Sequence, residues 1–321
     1  MFSKSALDLD WLAEAARIEG AMRAIVGSQL KRRGIVVGVS GGIDSSLVAA
    51  LAARAFGPER VLALFMPETD SASESLELGT KLAEQFGIPS RTVNLFPALD
   101  ALGCYRERDA AMRSVFPEFG PGWKAKIVLP EIGDKARLNV FSLVVQSPDG
   151  QQKRARLPLD AYLTIVAATN MKQRTRKLTE YFWAEKHNYA VAGTPNRLEY
   201  DQGFFVKYGD GAADVKPIAH LYKTQVFALG AHLGVPQEIR ERLPTTDTYS
   251  RAQSQEEFYF ALPYREMDLC LWAVDHAVPA AEVGPAIGLT EDQVERVFRD
   301  IAAKRRVSRY LHAVPAPMSQ P

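Results

Sequence analysis

Directly after the apolar run Ile35-Val36-Val37, the chain reads Gly38-Val39-Ser40-Gly41-Gly42-Ile43-Asp44-Ser45-Ser46. Two adjacent glycines let backbone amides approach an anion closely. The Ser45 and Ser46 hydroxyls can donate to it, and a helix opening at Asp44 adds the partial positive charge of its N-terminus. That is the chemistry of a phosphate cradle. It lacks the lysine of G-x-x-x-x-G-K-[ST]. An aspartate there repels phosphate unless a divalent cation lies between them, so Asp44 points to Mg²⁺. A bare S-G-G is more often a plain turn with Asp44 or Ser45 as a cap. Ser-Gly-Gly-x-Asp-Ser-Ser after a β run is far more specific and favours a nucleotide.

Other polar residues gain meaning only together. Arg174 and Arg176 lie in KQRTRK, which alone reads as a solvated basic helix face, and Glu199 alone reads as a surface carboxylate. Lys207 and Asp214 flank a glycine-rich loop. Lys223 neighbours the apolar stripe Tyr222, Val226, Leu229 and Leu233, the usual place for a rim lysine that snorkels to water. Thr245 alone is an ordinary turn or cap. His187, His220, His232, His276 and His312 show no metal spacing. Cys104 and Cys270 stand far apart and outside any C-x-x-C, which excludes a disulfide framework, a cysteine zinc site and a cysteine-ligated cluster within the chain.

The elements that must position these groups follow from periodicity. Trp11, Ala15, Ile18, Met22 and Ile25 predict an amphipathic helix that stops at Lys31-Arg32-Arg33-Gly34. Strands and helices then alternate: strand 35–39, helix 44–56, strand 61–66, helix 71–87 opened by a Ser71-x-x-Glu74 capping box, and strand 91–94. A long helix covers about 159–186, and strand 189–193 follows. The class is α/β, a doubly wound parallel sheet with its strand-to-helix loops on one ligand-binding edge. One stretch breaks the rhythm. From about 123 to 157, β-rich runs separated by Gly133-Asp134 and Ser147-Pro148-Asp149-Gly150 predict an inserted hairpin or small sheet. The last third is helical, with capping boxes at Ser254-x-x-Glu257 and Thr290-x-x-Gln293 and a stripe of Val294, Val297, Phe298 and Ile301. Phe258, Tyr259, Phe260 and Trp272 belong to that helical core. Residues 1–250 thus form one domain with the insertion, and 251–321 form its helical C-terminal extension.

With 39 basic and 38 acidic residues the net charge is +1, which argues against a surface built to grip nucleic acid. No signal-like or membrane-length apolar run is present, so no membrane partner is expected and the expected compartment is the cytoplasm.

The cradle resembles the signature of the N-type ATP pyrophosphatases, and the sequence beyond it is similar to the NAD synthetases. The supporting stretches are Asn170 to Arg176, Gly193-Thr194-Pro195-Asn196-Arg197-Leu198-Glu199, Phe205-Val206-Lys207-Tyr208-Gly209-Asp210-Gly211-Ala212-Ala213-Asp214, Leu221 to Val226, and Leu243-Pro244-Thr245. The resemblance implies an adenine nucleotide α-hydrolase-like, Rossmann-like fold. It also implies ATP-dependent amidation of deamido-NAD⁺ by ammonia through an adenylate, giving NAD⁺, AMP and pyrophosphate. By the same resemblance, Gly38 to Ser45, Thr194, Lys223 and Thr245 line the ATP site, with Asp44 and Lys223 catalytic. Asp44 and Glu199 hold Mg²⁺, Arg174, Lys207 and Asp214 bind the dinucleotide, and the molecule is a homodimer. The family's C-terminal His-Lys pair is replaced here by Tyr310-Leu311, so a ligase amidating a different carboxylate is the alternative, and a non-catalytic nucleotide sensor a second one. No glutaminase segment is recognisable, so ammonia is the direct nucleophile, either dissolved or channelled from a separate glutaminase.

Overall fold

A computed structural model describes residues 2–128, 141–242, 259 and 262–318. Helix α1 (Trp11–Arg23) continues as a π-helical turn, Ala24–Gln29, and leads to β1 (Ile35–Gly38), α2 (Ile43–Phe56), β2 (Val61–Phe65), α3 (Ser73–Gln85) and β3 (Ser90–Thr92). Helices α4 (Phe96–Ala101) and α5 (Cys104–Val115) precede three further strands, β4 (Lys124–Val128), β5 (Ser142–Gln146) and β6 (Gln152–Arg156). Then come α6 (Leu159–His187), β7 (Ala190–Ala192), α7 (Arg197–Gln202), α8 (Lys223–His232) and α9 (Gln237–Glu241). Helices α10 (Tyr264–Asp275), α11 (Ala280–Ile287) and α12 (Glu291–His312) close the described chain.

Among the described residues, the central sheet has the order β3-β2-β1-β7, and every pairing is parallel. β1 is buried along its apolar length, as a strand covered on both faces must be, whereas the edge strand β3 is polar and exposed. Helices cover both faces. On one side Ala15, Ile18, Leu47, Leu51, Leu82 and Leu229 share a core. On the other, Leu64, Leu99, Cys104, Ala168 and Trp183 pack together beneath Val36 and Val191. Leu47 to Ala52 of α2 are all wholly buried, because this helix has neighbours all round and its alanines allow close approach.

Two local expectations shift. The first helix does not stop at Gly34; the left-handed residue is Lys31 (φ 56°). Gly34 serves a different need, since a Cβ there would lie 2.2 Å from the Arg60 carbonyl oxygen. The Ser71–Glu74 capping box is not formed. Ser71 Oγ instead accepts from the Glu68 amide (3.1 Å), and α3 opens behind Ala72.

The predicted insertion is a three-stranded antiparallel sheet, β4-β5-β6, joined between β5 and β6 at the Ser147–Gly150 turn. Gly133-Asp134 lies outside the described residues. Leu143 and Val145 of this sheet pack with Phe116, Ala161 and Ile165, so the N-terminal half of α6 rests on the insertion and its C-terminal half on the central sheet. The C-terminal helices gather round Met267, Leu269, Leu271, Val294 and Ile301, with Leu7 and Leu198 joining from outside. The Thr290–Gln293 capping box is formed; Ser254-x-x-Glu257 lies outside the described residues. Leu143→Ala should cost about 2–5 kcal/mol, because a wholly buried leucine leaves a cavity in a small sheet. Denaturant unfolding checks this, and a cost below about 1 kcal/mol would show that the inserted sheet does not form a packed core with α6.

Candidate active site

At the carboxyl edge of the central sheet a cavity of about 490 Å³ opens between the β1–α2 loop, the β2–α3 loop, α6 and the loop after α7. The β1–α2 loop is self-braced. The Ser45 hydroxyl accepts from the Ser40 amide (3.2 Å) and donates to the Gly42 carbonyl (3.1 Å). Gly41 takes φ 72°, and a Cβ there would meet the Ser75 carbonyl oxygen at 2.6 Å, so glycine is required both by conformation and by the packing of α3 against the loop. Arg242 spans the two elements, donating to Ser75 Oγ (3.0 Å) and approaching the Gly41 carbonyl (3.5 Å).

Asp44, in the first turn of α2, is held from two sides. Its Oδ2 accepts from Lys223 Nζ at 2.5 Å and its Oδ1 from Asn196 Nδ2 at 2.8 Å. Lys223 is wholly buried, contrary to the rim position its neighbours suggest. Burial works against its charge, but Asp44 and Glu199 more than offset this and its pKa is raised. Glu199 follows Asn196 by one turn. The two form a reciprocal capping box, with Asn196 N donating to Glu199 Oε2 (3.1 Å) and Glu199 N donating to Asn196 Oδ1 (3.2 Å). Burial, reinforced by the Asp44 charge, raises the Glu199 pKa. Two carboxylates therefore face one space, and the Lys223 ammonium bonds to one of them and stabilises the charge of the other.

Lys223 is the first residue of α8, and a carboxylate from the C-terminal core holds that helix end. Asp268, wholly buried in α10, accepts from the Thr224 amide (2.8 Å), the Thr224 hydroxyl (2.7 Å) and the Lys223 amide (3.3 Å). Burial pushes its carboxyl up to about 7 against the pull of these donors. On the opposite wall, the β2–α3 loop is pinned by ions in the interior. Lys172, wholly buried, pairs with Glu68 (3.2 Å) and Asp70, while the Tyr105 hydroxyl donates to Glu68 (2.9 Å). Nearby, Lys177 pairs with Glu180 (2.6 Å), and Asp210 accepts from the Val206 amide (2.7 Å). Burial raises the pKa of both carboxyls.

The predicted residues divide cleanly. Gly38 to Ser45, Thr194, Glu199 and Lys223 come together round this cavity, Gly41 and Lys223 through their contacts with Arg242 and Asp44. Thr245 lies outside the described residues. Arg174, Lys207 and Asp214 do not line the cavity. Arg174 is exposed and donates to the Lys207 carbonyl (3.2 Å), while Lys207 Nζ donates to the Tyr310 carbonyl (2.9 Å) and lies 4.4 Å from the Tyr310 ring centre. Asp214 Oδ2 accepts from the Val191 amide of β7 (2.7 Å), which makes it a tie at the sheet edge. Sequence reading passed over Asn196, Arg242 and Asp268. Asn196 stands inside a quoted motif and could have been found. No local pattern links Asp268 to a lysine 45 residues earlier.

The NAD synthase family pattern matches residues 15–114 and 133–309. The chain belongs to that family. An NH(3)-dependent NAD(+) synthetase of Rhizobium meliloti (strain 1021) is 58% identical over 98% of this chain and 94% of its own length. Among solved structures, an NH3-dependent NAD synthetase from Campylobacter jejuni superposes with TM-score 0.64 at 20% identity, covering 97% of this chain and 100% of that one. An NMN synthetase from Francisella tularensis gives the same TM-score at 21% identity, covering 97% and 99%. These two structures carry the NAD synthase fold without separating one acceptor from another. Among the described residues no helix is long and apolar enough to cross a membrane.

Asp268→Ala in this NAD synthase fold strands two amides and a hydroxyl in the interior and should cost roughly 1–3 kcal/mol of stability. It should also weaken ATP binding by releasing Lys223. Unfolding and nucleotide titration of the variant check both effects, and unchanged ATP affinity would mean that Lys223 is held without its helix cap.

Proposed function

We propose that this chain is an ammonia-dependent NAD synthetase, converting ATP, deamido-NAD⁺ and ammonia into AMP, pyrophosphate and NAD⁺. The observation that carries the reading is the Asp44–Lys223–Glu199 constellation set over a braced Ser-Gly-Gly loop, in a chain 58% identical to a protein of that name. A carboxylate is a poor acyl donor, because its leaving group is oxide. In the first step a carboxylate oxygen of the acceptor attacks the α-phosphorus, the bond to the β-phosphate oxygen breaks, and pyrophosphate leaves. In the second step ammonia adds to the acyl carbon of the mixed anhydride, loses a proton, and AMP departs with its oxygen.

Charge grows on the departing pyrophosphate, so the chain's task is positioning and electrostatic stabilisation rather than nucleophilic attack. The β1–α2 amides and the α2 N-terminus receive the phosphates. Lys223 holds Asp44 in place and contributes positive charge beneath them. Arg242 adds a cation at the α3 side of the loop. Thr194 and Thr245 are read as further ATP contacts. Asp44 and Glu199 are the metal ligands in this reading. The donor set fits Mg²⁺, which binds through one or two carboxylates plus substrate phosphates; among the described residues no group of three or more acidic, histidine or cysteine side chains converges on one point. When bound, Mg²⁺ neutralises phosphate charge next to the two acids.

Helix α6 leaves Leu159, Leu163, Leu178 and Phe182 exposed within one side of its surface, the side on which Arg174 also lies. This supports a homodimer whose interface completes the dinucleotide site with Arg174, Lys207 and Asp214. Capping of α8 by Asp268 supports reading 251–321 as an extension of the 1–250 domain, and the expected compartment is the cytoplasm. A second reading, amidation of another carboxylate, rests on Tyr310. Its carbonyl and ring engage Lys207, where the family resemblance leads one to expect a histidine and a lysine nearby.

Asp44→Ala, Glu199→Gln and Lys223→Met should each lower turnover at least about 100-fold, with AMP and pyrophosphate as the nucleotide products of the unaltered enzyme. A chelator should abolish the reaction and Mg²⁺ restore it. Formation of ADP, or full turnover by Asp44→Ala, would overturn the adenylation reading. AMP formed only with an acid other than deamido-NAD⁺ would favour the second one.

A further inference from the structure

One face of α6 lines the cavity for most of the helix length, through Tyr162, Val166, Thr169, Gln173, Lys177 and Glu180. These residues recur every three or four positions, so they form a single stripe. From Tyr162 to Glu180 the stripe rises about 27 Å at 1.5 Å per residue. Its two ends differ in chemistry. At the Glu180 end lies the phosphate cradle: a Cβ on Gly38 would stand 2.8 Å from Glu180 Oε1. At the Tyr162 end the wall is aromatic. The Phe141 and Tyr162 rings stack with centres 4.3 Å apart and planes 15° from parallel, and Phe204 and Tyr259 also line the cavity.

Phe141 comes from the insertion. It precedes β5 on the same side as Leu143 and Val145, and its carbonyl accepts from the Leu157 amide (2.9 Å), which extends the β5–β6 ladder by one pair. Leu143 and Val145 are wholly buried, yet Phe141 is only half-buried, because the row of core-facing side chains runs past the core into the cavity. Residues 115–132, with β4 inside them, fall in the gap of the family match, whereas Phe141 and Tyr162 fall within it; unmatched sequence therefore backs the small sheet but does not itself line the cavity.

We propose that the inserted sheet builds a subsite in which the Phe141–Tyr162 pair stacks a planar heteroaromatic ring of the acceptor dinucleotide. A phosphate has no favourable place against this apolar, aromatic end, and the cradle at the other end already takes the triphosphate. A flat ring extends the existing stack by one layer. The inference rests on the NAD synthetase reading and adds to it a role for the insertion. The acceptor carries two such rings, a pyridine and a purine.

The test uses the full chain carrying Tyr162→Leu or Phe141→Leu, with Tyr162→Phe as the variant that keeps the ring. Each leucine variant should raise the KM for deamido-NAD⁺ about tenfold, leave the KM for ATP within about twofold, and leave kcat within about threefold. Tyr162→Phe should match the unaltered enzyme. Nicotinate mononucleotide, tested as a competitive inhibitor, assigns the ring. If Tyr162→Leu weakens it tenfold the stacked ring is the pyridine; if it is unaffected the ring is the purine. Should Tyr162→Leu fail to fold, the half-buried Phe141→Leu and calorimetric titration with deamido-NAD⁺ give the same comparison. Unchanged acceptor affinity in the leucine variants, or an equal rise in the KM for ATP, overturns the subsite. An unaltered enzyme that forms no NAD⁺ overturns the underlying reading and the subsite with it, whereas NAD⁺ formation with insensitive variants removes the subsite alone.

Discussion

A buried ammonium held against a carboxylate that phosphate would otherwise repel is the constraint round which this fold is arranged. In the reaction proposed for this chain Asp44 stands next to a polyphosphate, which is workable only if its charge is balanced and its direction fixed. Lys223 and Asn196 supply both, from helices far apart in sequence. A lysine with no solvent exposure is costly unless paired, and the pairing has to be made by well-fixed elements. Hence α2, α7 and α8 converge on one point, and hence a fourth helix, α10, spends the carboxylate of Asp268 on the start of α8.

The same logic governs the opposite wall. Lys172 is also wholly buried, and the Glu68–Asp70 loop wraps it, so the β2–α3 connection is tied to α6 by charge rather than by secondary structure. The cavity is thereby bounded by two loops, each anchored to a lysine in the interior. Pre-formed walls of this kind suit a reaction whose barrier is lowered by fixed dipoles and charges, because little reorganisation remains to be done when the phosphate bond breaks.

Much of this architecture was legible in the residues. The buried run before Gly38, the alternation of period two and period 3.6, and the turn chemistry at Ser147–Gly150 each reflect local constraints, and local constraints are what a single sequence carries. The cradle was legible for the same reason: its glycines, serines and aspartate are consecutive. Failures occurred where a residue's role is set by a distant partner. Lys223 has an apolar-stripe neighbourhood that predicts a rim, yet Asp44, 179 residues away, draws it inside. Ser71 had the spacing of a cap, but the Glu68 amide competed for its hydroxyl. Arg174, Lys207 and Asp214 are a different case: they were placed by resemblance, the single chain shows their contacts with one another, with Tyr310 and with the sheet edge, and their part in a dinucleotide site belongs to the proposed function. Asp268 had no local signal at all.

The uninterrupted run of α6 has a consequence for how this molecule can change. Adding or removing one residue within it would turn everything beyond by about 100° and swing half of the cavity wall away from the other half. The helix therefore acts as a ruler whose length cannot drift. Sequence can be gained cheaply only at its ends, and the small sheet docked at its N-terminal end is an addition at such a point.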